Sequence, residues 1–247
     1  MTRADAFRGG CHGSTMGSMP PPSFQGHPPL PPSWPFPPRE PLPGPEARAG
    51  IRLPGLPGTW EAVLAPGLDF AEGSAGLPEA FGRGGVARCG DVVLRPYLRG
   101  GLVRFVNRNL YPGPGRFRAE FEAHRALWEA GLPTVEPLGW ACRRRAWGFE
   151  GVFLTRLAEG SPWPRGWDAG ALPQVRAILE ALAAWGLYAP DLNATNFLVD
   201  PRGGVLALDW DRAVWVPGVP LLDRYRRRLV RSLAKLGAPK EFAKFLA

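Results

Sequence analysis

Lysine is nearly absent from this 247-residue chain: of 30 Lys and Arg residues only Lys235, Lys240 and Lys244 are lysines. A Gly-x-x-x-x-Gly-Lys phosphate loop is thereby excluded, and any phosphate contact before Lys235 has to come from arginine or backbone N–H. Histidine is as scarce. Only His12, His27 and His124 occur, two of them near the N-terminus, so neither a histidine triad nor a histidine-built zinc site can be assembled. The cysteines, Cys11, Cys89 and Cys142, are odd in number, widely spaced and never arranged as CxxC. They suggest neither a disulfide framework nor a zinc site, and a reducing, cytoplasmic setting fits best. No uncharged apolar run approaches the roughly 18 residues of a membrane span. The N-terminus also lacks the apolar core of a secretory signal.

Proline and arginine are abundant. Thirteen of the 30 prolines fall in the first 45 residues, in runs such as Pro20-Pro21-Pro22 and Pro35-Phe36-Pro37-Pro38. With little apolar periodicity between them, residues 1–50 read as a disordered or polyproline II tail. Such a tail is either a docking segment for a proline-recognising partner or a plain extension, with Met19 a candidate start. The net charge of +8 could attract nucleic acid, anionic lipid or a phosphorylated substrate. A nucleic-acid platform would interleave exposed aromatics with basic residues, whereas most tryptophans here fall on core stripes or in loops. No nucleic-acid partner is expected.

Residues 51–247 read as one catalytic domain, with a first lobe over about 75–158 and a second over about 159–247. From Trp60 to Ala80 the pattern is mixed, helix or loop. AFGRGGVARCGDVVLRPYLRGG then reads as strand, glycine-rich loop, strand, Cys89-Gly90-Asp91 turn and strand. Residues 116–130 place Phe117, Phe121, Leu127 and Trp128 on one helical stripe and stop at Gly131. Val135–Gly139 and Gly151–Leu157 read as strands joined by the basic turn Arg143-Arg144-Arg145. A second helix, 171–185, carries Val175, Ile178, Leu179, Leu182 and Trp185. Strands Phe197–Val199 and Val205–Leu208 follow, and basic helices fill about 220–236 and 239–246.

The chemistry concentrates in Tyr188-Ala-Pro-Asp191-Leu-Asn193-Ala-Thr-Asn196 and, after a turn, Leu208-Asp209-Trp210-Asp211. A loop at a helix end leads into a hairpin, and the hairpin returns Asp209 beside Asp191 and Asn196. Phosphoryl transfer needs a carboxylate to orient the acceptor hydroxyl and oxygen ligands for Mg²⁺. Asp191 with Asn196 five residues on reproduces the Asp-x-x-x-x-Asn of a kinase catalytic loop, and Asp209 stands where the metal-binding Asp of the next strand would be. Asp191 is then the base, and Asn196 and Asp209 the metal ligands. Asp-Asn-rich hairpins are also ordinary turns. An acidic residue ending an apolar strand, however, spends desolvation energy that a purely structural strand has no reason to spend.

Gly82, Gly84 and Gly85 would let backbone amides approach the phosphates of ATP. Arg95 follows an apolar strand where kinases place the phosphate-anchoring lysine, and Glu120 on the next helix is its acidic partner. A solvated strand-end arginine and a solvated helix glutamate are the plain alternative. His124 reads as packed or solvent-facing.

These residues resemble the lipopolysaccharide core kinases, and within them the 3-deoxy-D-manno-octulosonic acid (Kdo) kinases. LRPYLRGGLVRF (94–105), EFEAHRALWEAGLP (120–133), DLNATN, LALDWDRA and RRRLVRSLAKLG are similar to family blocks in the same order, across about residues 80–237. The resemblance implies an α+β, protein-kinase-like bilobal fold with a small antiparallel β N-lobe and a mostly helical C-lobe. It implies ATP and Mg²⁺ as cofactors and a Kdo hydroxyl on a lipid A precursor as acceptor, at the cytoplasmic face of the inner membrane. Arg95, Glu120, Asp191, Asn196 and Asp209 inherit the roles argued above, and the family accepts arginine at the position of Arg95. An anionic glycolipid acceptor gives a reason for Arg99, Arg104, Arg108 and the Arg224–Arg231 cluster, and for peripheral association with an anionic membrane. Two departures stand out. Ala189 replaces the histidine that usually braces the loop two residues before the base, and Thr195 replaces another. Loss of the brace implies lower activity or an altered acceptor. An aminoglycoside- or choline-type kinase and a nucleotide-binding pseudokinase are the alternatives.

Overall fold

The computed structural model describes residues 27–70, 77–79, 86–98 and 109–246. Strands β1 (Glu46–Arg52), β2 (Thr59–Leu64), β3 (Leu77–Glu79), β4 (Val86–Cys89) and β5 (Val92–Pro96) precede helix α1 (Gly115–Glu129). Strands β6 (Pro137–Arg145) and β7 (Gly148–Arg156) follow it. Thereafter helices α2 (Ala171–Ala184), α3 (Leu222–Lys235) and α4 (Lys240–Leu246) dominate. Short strands β8 (Ser161–Pro162), β9 (Leu187–Tyr188), β10 (Phe197–Val199), β11 (Val205–Ala207) and β12 (Val214–Trp215) lie between them. The fold is α+β with antiparallel sheets.

The first seven strands form one sheet in the order β1-β2-β6-β7-β5-β4-β3. Because strand side chains alternate between faces, Val92 and Leu94 of β5 point into one core with Leu53, Trp60, Leu138, Val152 and Leu154. Arg95 is thereby turned to the opposite face. There α1 packs through Phe117 and Phe121 on Trp140 and Phe153. The sheet begins at Glu46, well before the expected start near residue 75, because the hairpin β1–β2 adds itself to the edge at β6. The mixed pattern over Trp60–Ala80 conceals a strand: Trp60, Ala62 and Leu64 alternate inward. The basic run Arg143–Arg145 lies in β6 rather than in a turn, since Arg143 and Arg145 both reach Glu150 across the hairpin.

A second core joins α2, α3 and α4 around Trp163, Phe197 and Trp210, all essentially solvent-free. Burying each such aromatic contributes about 1.5–3 kcal/mol. The helix over 171–185 is confirmed as Ala171–Ala184, with Val175, Ile178, Leu179 and Leu182 inward.

The expected unstructured tail to residue 50 does not hold for residues 27–45. This strap lies across the C-terminal ends of α1 and α2. Trp34 donates its indole N–H to the Ala130 carbonyl at 2.6 Å, Arg39 N–H donates to the Glu129 carbonyl at 2.8 Å, and Trp185 donates to the Pro28 carbonyl at 2.8 Å. Trp34 also packs edge-on against Trp185, with centroids 5.1 Å apart, and the Arg39 guanidinium sits over the Trp128 ring. Proline-rich composition signals only the lack of regular hydrogen bonding within the segment. It does not register the carbonyls at a helix end that an extended chain can satisfy. Gly131 makes the approach possible: its φ is +85°, and a Cβ there would come within 2.0 Å of the Pro37 carbonyl oxygen.

Candidate active site

Arg95 is the point where the sheet, α1 and the returning hairpin meet. One Nη donates to a Glu120 carboxylate oxygen and the other to Asp209 Oδ1 at 3.0 Å. The partners lie 25 and 114 residues away in the chain, so the fork closes only in the folded protein. Glu120 is fully buried, whereas Arg95 and Asp209 remain about one-third exposed. Burial pushes the Glu120 carboxyl up to about 7 against the Arg95 charge, and Asp211 and Asp209 add to the rise.

Asp209 has φ +67°, a left-handed conformation that an aspartate tolerates better than most residues. Its neighbours hold it there. Trp210 is completely buried and donates its indole N–H to Thr134 Oγ1 at 3.0 Å. Thr134 in turn donates to the Ala207 carbonyl at 2.7 Å and lies 3.0 Å from His124 Nε2. His124 also faces the Val135 carbonyl at 2.8 Å and stacks on Phe153. Buried and enclosed, its imidazole is pushed down to about 3. Asp211 binds Arg116 in a two-point ion pair that ties the start of α1 to the same segment. This network, with Arg116, Thr134 and Trp210, escaped the sequence reading. The Asp-Trp-Asp spelling carried the only signal, a large apolar residue locked between two carboxylates.

The loop bearing Asp191 and Asn196 is gripped by one face of α3. The Tyr225 hydroxyl donates to the Leu187 carbonyl at 2.6 Å and accepts the Ala189 N–H at 2.9 Å. Three residues on, Arg228 Nε donates to the Leu192 carbonyl at 3.1 Å; one turn further, Ser232 Oγ accepts the Ala194 N–H at 3.2 Å. These positions share one helical face. Asn193 caps the following 3₁₀ turn by accepting from Thr195 N–H at 2.9 Å. Asn196 is buried; its carbonyl accepts the Leu208 N–H at 2.7 Å, which sets Asp209 one residue beyond the contact. Asp191 is partly exposed, with Arg228 Nη2 at 3.5 Å and Arg212 Nη1 at 4.0 Å.

Arg95, Glu120 and Asp209 are therefore in direct contact, and Asp191 and Asn196 stand on the adjoining loop as expected. Gly82, Gly84 and Gly85 lie outside the described residues. Among the described residues no three His, Cys, Asp or Glu side chains gather into a metal cage. A two-oxygen set such as Asn196 with Asp209 fits Mg²⁺, which usually takes one or two protein ligands and completes its shell with water and substrate phosphates. Asp209 directs only Oδ1 at Arg95, and the Asn196 side-chain oxygen accepts only from Thr195 among described residues.

No protein-family model matches the chain. Among solved structures, the bifunctional kinase-methyltransferase WbdD aligns with a TM-score of 0.40 and 16% identity, over 62% of this chain and 34% of that one. Curated relatives are much nearer. The 3-deoxy-D-manno-octulosonic acid kinase of Xanthomonas oryzae pv. oryzae (strain PXO99A) is 36% identical over 178 residues, 63% of this chain and 68% of its own. The enzyme of the same name from Xylella fastidiosa (strain M12) is 31% identical over 196 residues, 73% of this chain and 74% of its own. With 31–36% identity over about two thirds or more of these relatives, the chain belongs to the 3-deoxy-D-manno-octulosonic acid kinase family.

Proposed function

We propose that the chain is an ATP- and Mg²⁺-dependent kinase of protein-kinase-like, bilobal fold that phosphorylates a hydroxyl of Kdo on a lipopolysaccharide precursor. The observation that carries this reading is the Arg95 fork between Glu120 and Asp209, which couples a phosphate-anchoring cation to a metal-binding carboxylate. The order of parts along the sequence supports the fold: a glycine-rich segment, the cation on a strand, its acid on the following helix, then the catalytic loop. The sheet lobe runs to about residue 158 and the helical lobe from about 159.

Asp191 accepts the proton of the acceptor hydroxyl, being the exposed carboxylate of a loop fixed by α3. Asn196 and Asp209 hold Mg²⁺, and Gly82, Gly84 and Gly85 offer backbone N–H to the phosphates beside Arg95. Mg²⁺-ATP supplies the phosphoryl group and the charge neutralisation it needs. Glu120 keeps Arg95 extended toward the cleft. The α3 arginines favour an anionic membrane surface, consistent with peripheral attachment at the cytoplasmic face; no helix among the described residues is long and apolar enough to cross a membrane. An aminoglycoside- or choline-type acceptor and a pseudokinase are the competing readings. Ala189 favours the second, and the Tyr225 bonds to the same loop weigh against it.

The test is transfer of labelled γ-phosphate from ATP to Kdo-lipid A, simple sugars and aminoglycosides, with and without Mg²⁺, using Asp191→Ala and Asp209→Ala as controls. Transfer to the Kdo acceptor that both variants abolish supports the reading. Tight ATP binding with no transfer to any acceptor favours the pseudokinase, and no ATP binding at all rules out both.

A further inference from the structure

Arg212 is one of three described non-glycine residues with positive φ, at +63°. Left-handed backbone is costly for a long side chain, and something has to compensate. The turn Trp210–Ala213 is closed by the Ala213 N–H on the Trp210 carbonyl at 3.0 Å, but the side chain of Arg212 adds little to that. Its guanidinium is 62% exposed and reaches only Asp191 Oδ2, at 4.0 Å, beyond hydrogen-bonding distance. An exposed pair at that separation contributes little. Arg228 presents a similar picture from the other side of the same carboxylate. It spends Nε on the Leu192 carbonyl, which fixes the plane of the guanidinium, and leaves Nη2 3.5 Å from Asp191 Oδ1 without a hydrogen bond. Arg95 and Arg116, by contrast, each donate to their carboxylates through direct hydrogen bonds. Two guanidinium groups thus flank Asp191 with N–H donors still to place.

Guanidinium forks match carboxylates in planar, two-point geometry. The acceptor named for this family's relatives is itself an acid, with its carboxylate on the same sugar as its hydroxyls. From this juxtaposition we infer that Arg212 and Arg228 form a carboxylate clamp: they hold the acid group of the acceptor sugar while a hydroxyl of that sugar faces Asp191. The inference rests on the acceptor site proposed above and names what that site recognises. The left-handed turn that carries Arg212 also leaves its guanidinium on the Asp191 side, 4.0 Å from Oδ2. Strained conformations persist at sites where they position a functional group.

The test compares binding of Kdo and of its C1 carboxamide by calorimetric titration of the full chain, for wild type, Arg212→Gly, Arg228→Gln and Arg228→Lys. Arg212→Gly removes the guanidinium while suiting the left-handed backbone, so lost binding cannot be put down to misfolding. Wild type is expected to bind the acid at least about tenfold more tightly than the amide, the loss of one charge-assisted pair. The preference should shrink toward unity in Arg212→Gly and Arg228→Gln, and recover partly in Arg228→Lys, with ATP affinity unchanged in Arg212→Gly. An acid-to-amide ratio that the variants leave intact, or a wild type that binds acid and amide equally, overturns the clamp. Because binding is read without turnover, a chain that shows the clamp but transfers no phosphate defeats the kinase reading and not this one.

Discussion

Tyr225 braces the segment before Asp191 through the backbone of Ala189 and Leu187. Its hydroxyl accepts the buried Ala189 N–H at 2.9 Å and donates to the Leu187 carbonyl at 2.6 Å, bridging the segment that leads into Asp191. Replacing Tyr225 by Phe strands a buried amide and a carbonyl, at a cost of about 1–3 kcal/mol. Turnover is expected to fall about tenfold or more, because base placement tolerates little error, while KM for ATP holds. A variant with unchanged turnover would show that the loop keeps its shape without this brace.

The Arg95 fork makes a second prediction. Arg95→Met leaves Glu120 buried without its cation, which destabilises the fold by on the order of 3 kcal/mol and removes the phosphate anchor proposed above. Arg95→Lys keeps a charge but cannot serve Glu120 and Asp209 together, since an ammonium lacks the planar fork. Nucleotide titration should rank affinity as wild type, then Lys, then Met. Equal affinity in all three would dissociate Arg95 from the nucleotide.

Stability should respond to pH through two buried groups of opposite sign. His124 is pushed down to about 3, so the stability it confers is full above its ordinary value of about 6.5 and drains as pH falls toward 3. Glu120 is pushed up to about 7, so its contribution is full below about 4.3 and is lost as pH rises through 7. Between about pH 4.5 and 6.5 the two slopes oppose each other, each up to about 1.4 kcal/mol per pH unit. Thermal melts across that window should be nearly flat for wild type. Glu120→Gln should make stability rise with pH there, and His124→Gln should make it fall; the same profile in all three would contradict the assignment.

The strap predicts a fourth outcome. Trp34→Ala removes the bond to Ala130 and the packing on Trp185 and Phe36, at a cost of about 2–3 kcal/mol for a half-buried tryptophan. Gly131→Ala should cost at least as much, because a Cβ there meets the Pro37 carbonyl at 2.0 Å on a backbone of φ +85°. Chemical denaturation of each variant measures both. If Gly131→Ala is neutral, the strap does not lie where it is described.

The residues that line up within one local unit were the ones legible beforehand. Asp191, Asn196 and Asp209 sit on a single loop and hairpin, so their spacing alone implied that they meet. Arg95 and Glu120 could be paired because one strand and one helix, each with clear periodicity, carried them. What the sequence concealed depends on contacts between distant segments. Arg116 finds Asp211 across 95 residues and Tyr225 finds Ala189 across 36, and neither pairing leaves a periodic trace. The strand Thr59–Leu64 was missed because prolines and glycines on both sides blur a short alternation. The strap was missed because proline runs resemble disorder until a helix end requires partners.

That strap changes what counts as the smallest useful piece of this molecule. The blocks that resemble the kinase family lie between about residues 80 and 237, and a fragment could be cut to those limits. It would discard the edge hairpin Glu46–Leu64 and leave the Trp128, Glu129 and Ala130 carbonyls without the donors of Arg39 and Trp34. The helix left open is the one that holds Glu120 against Arg95. Trimming the chain to its recognisable portion would therefore loosen the Arg95 fork from behind, and a weak truncated protein would testify to the cut rather than to the enzyme.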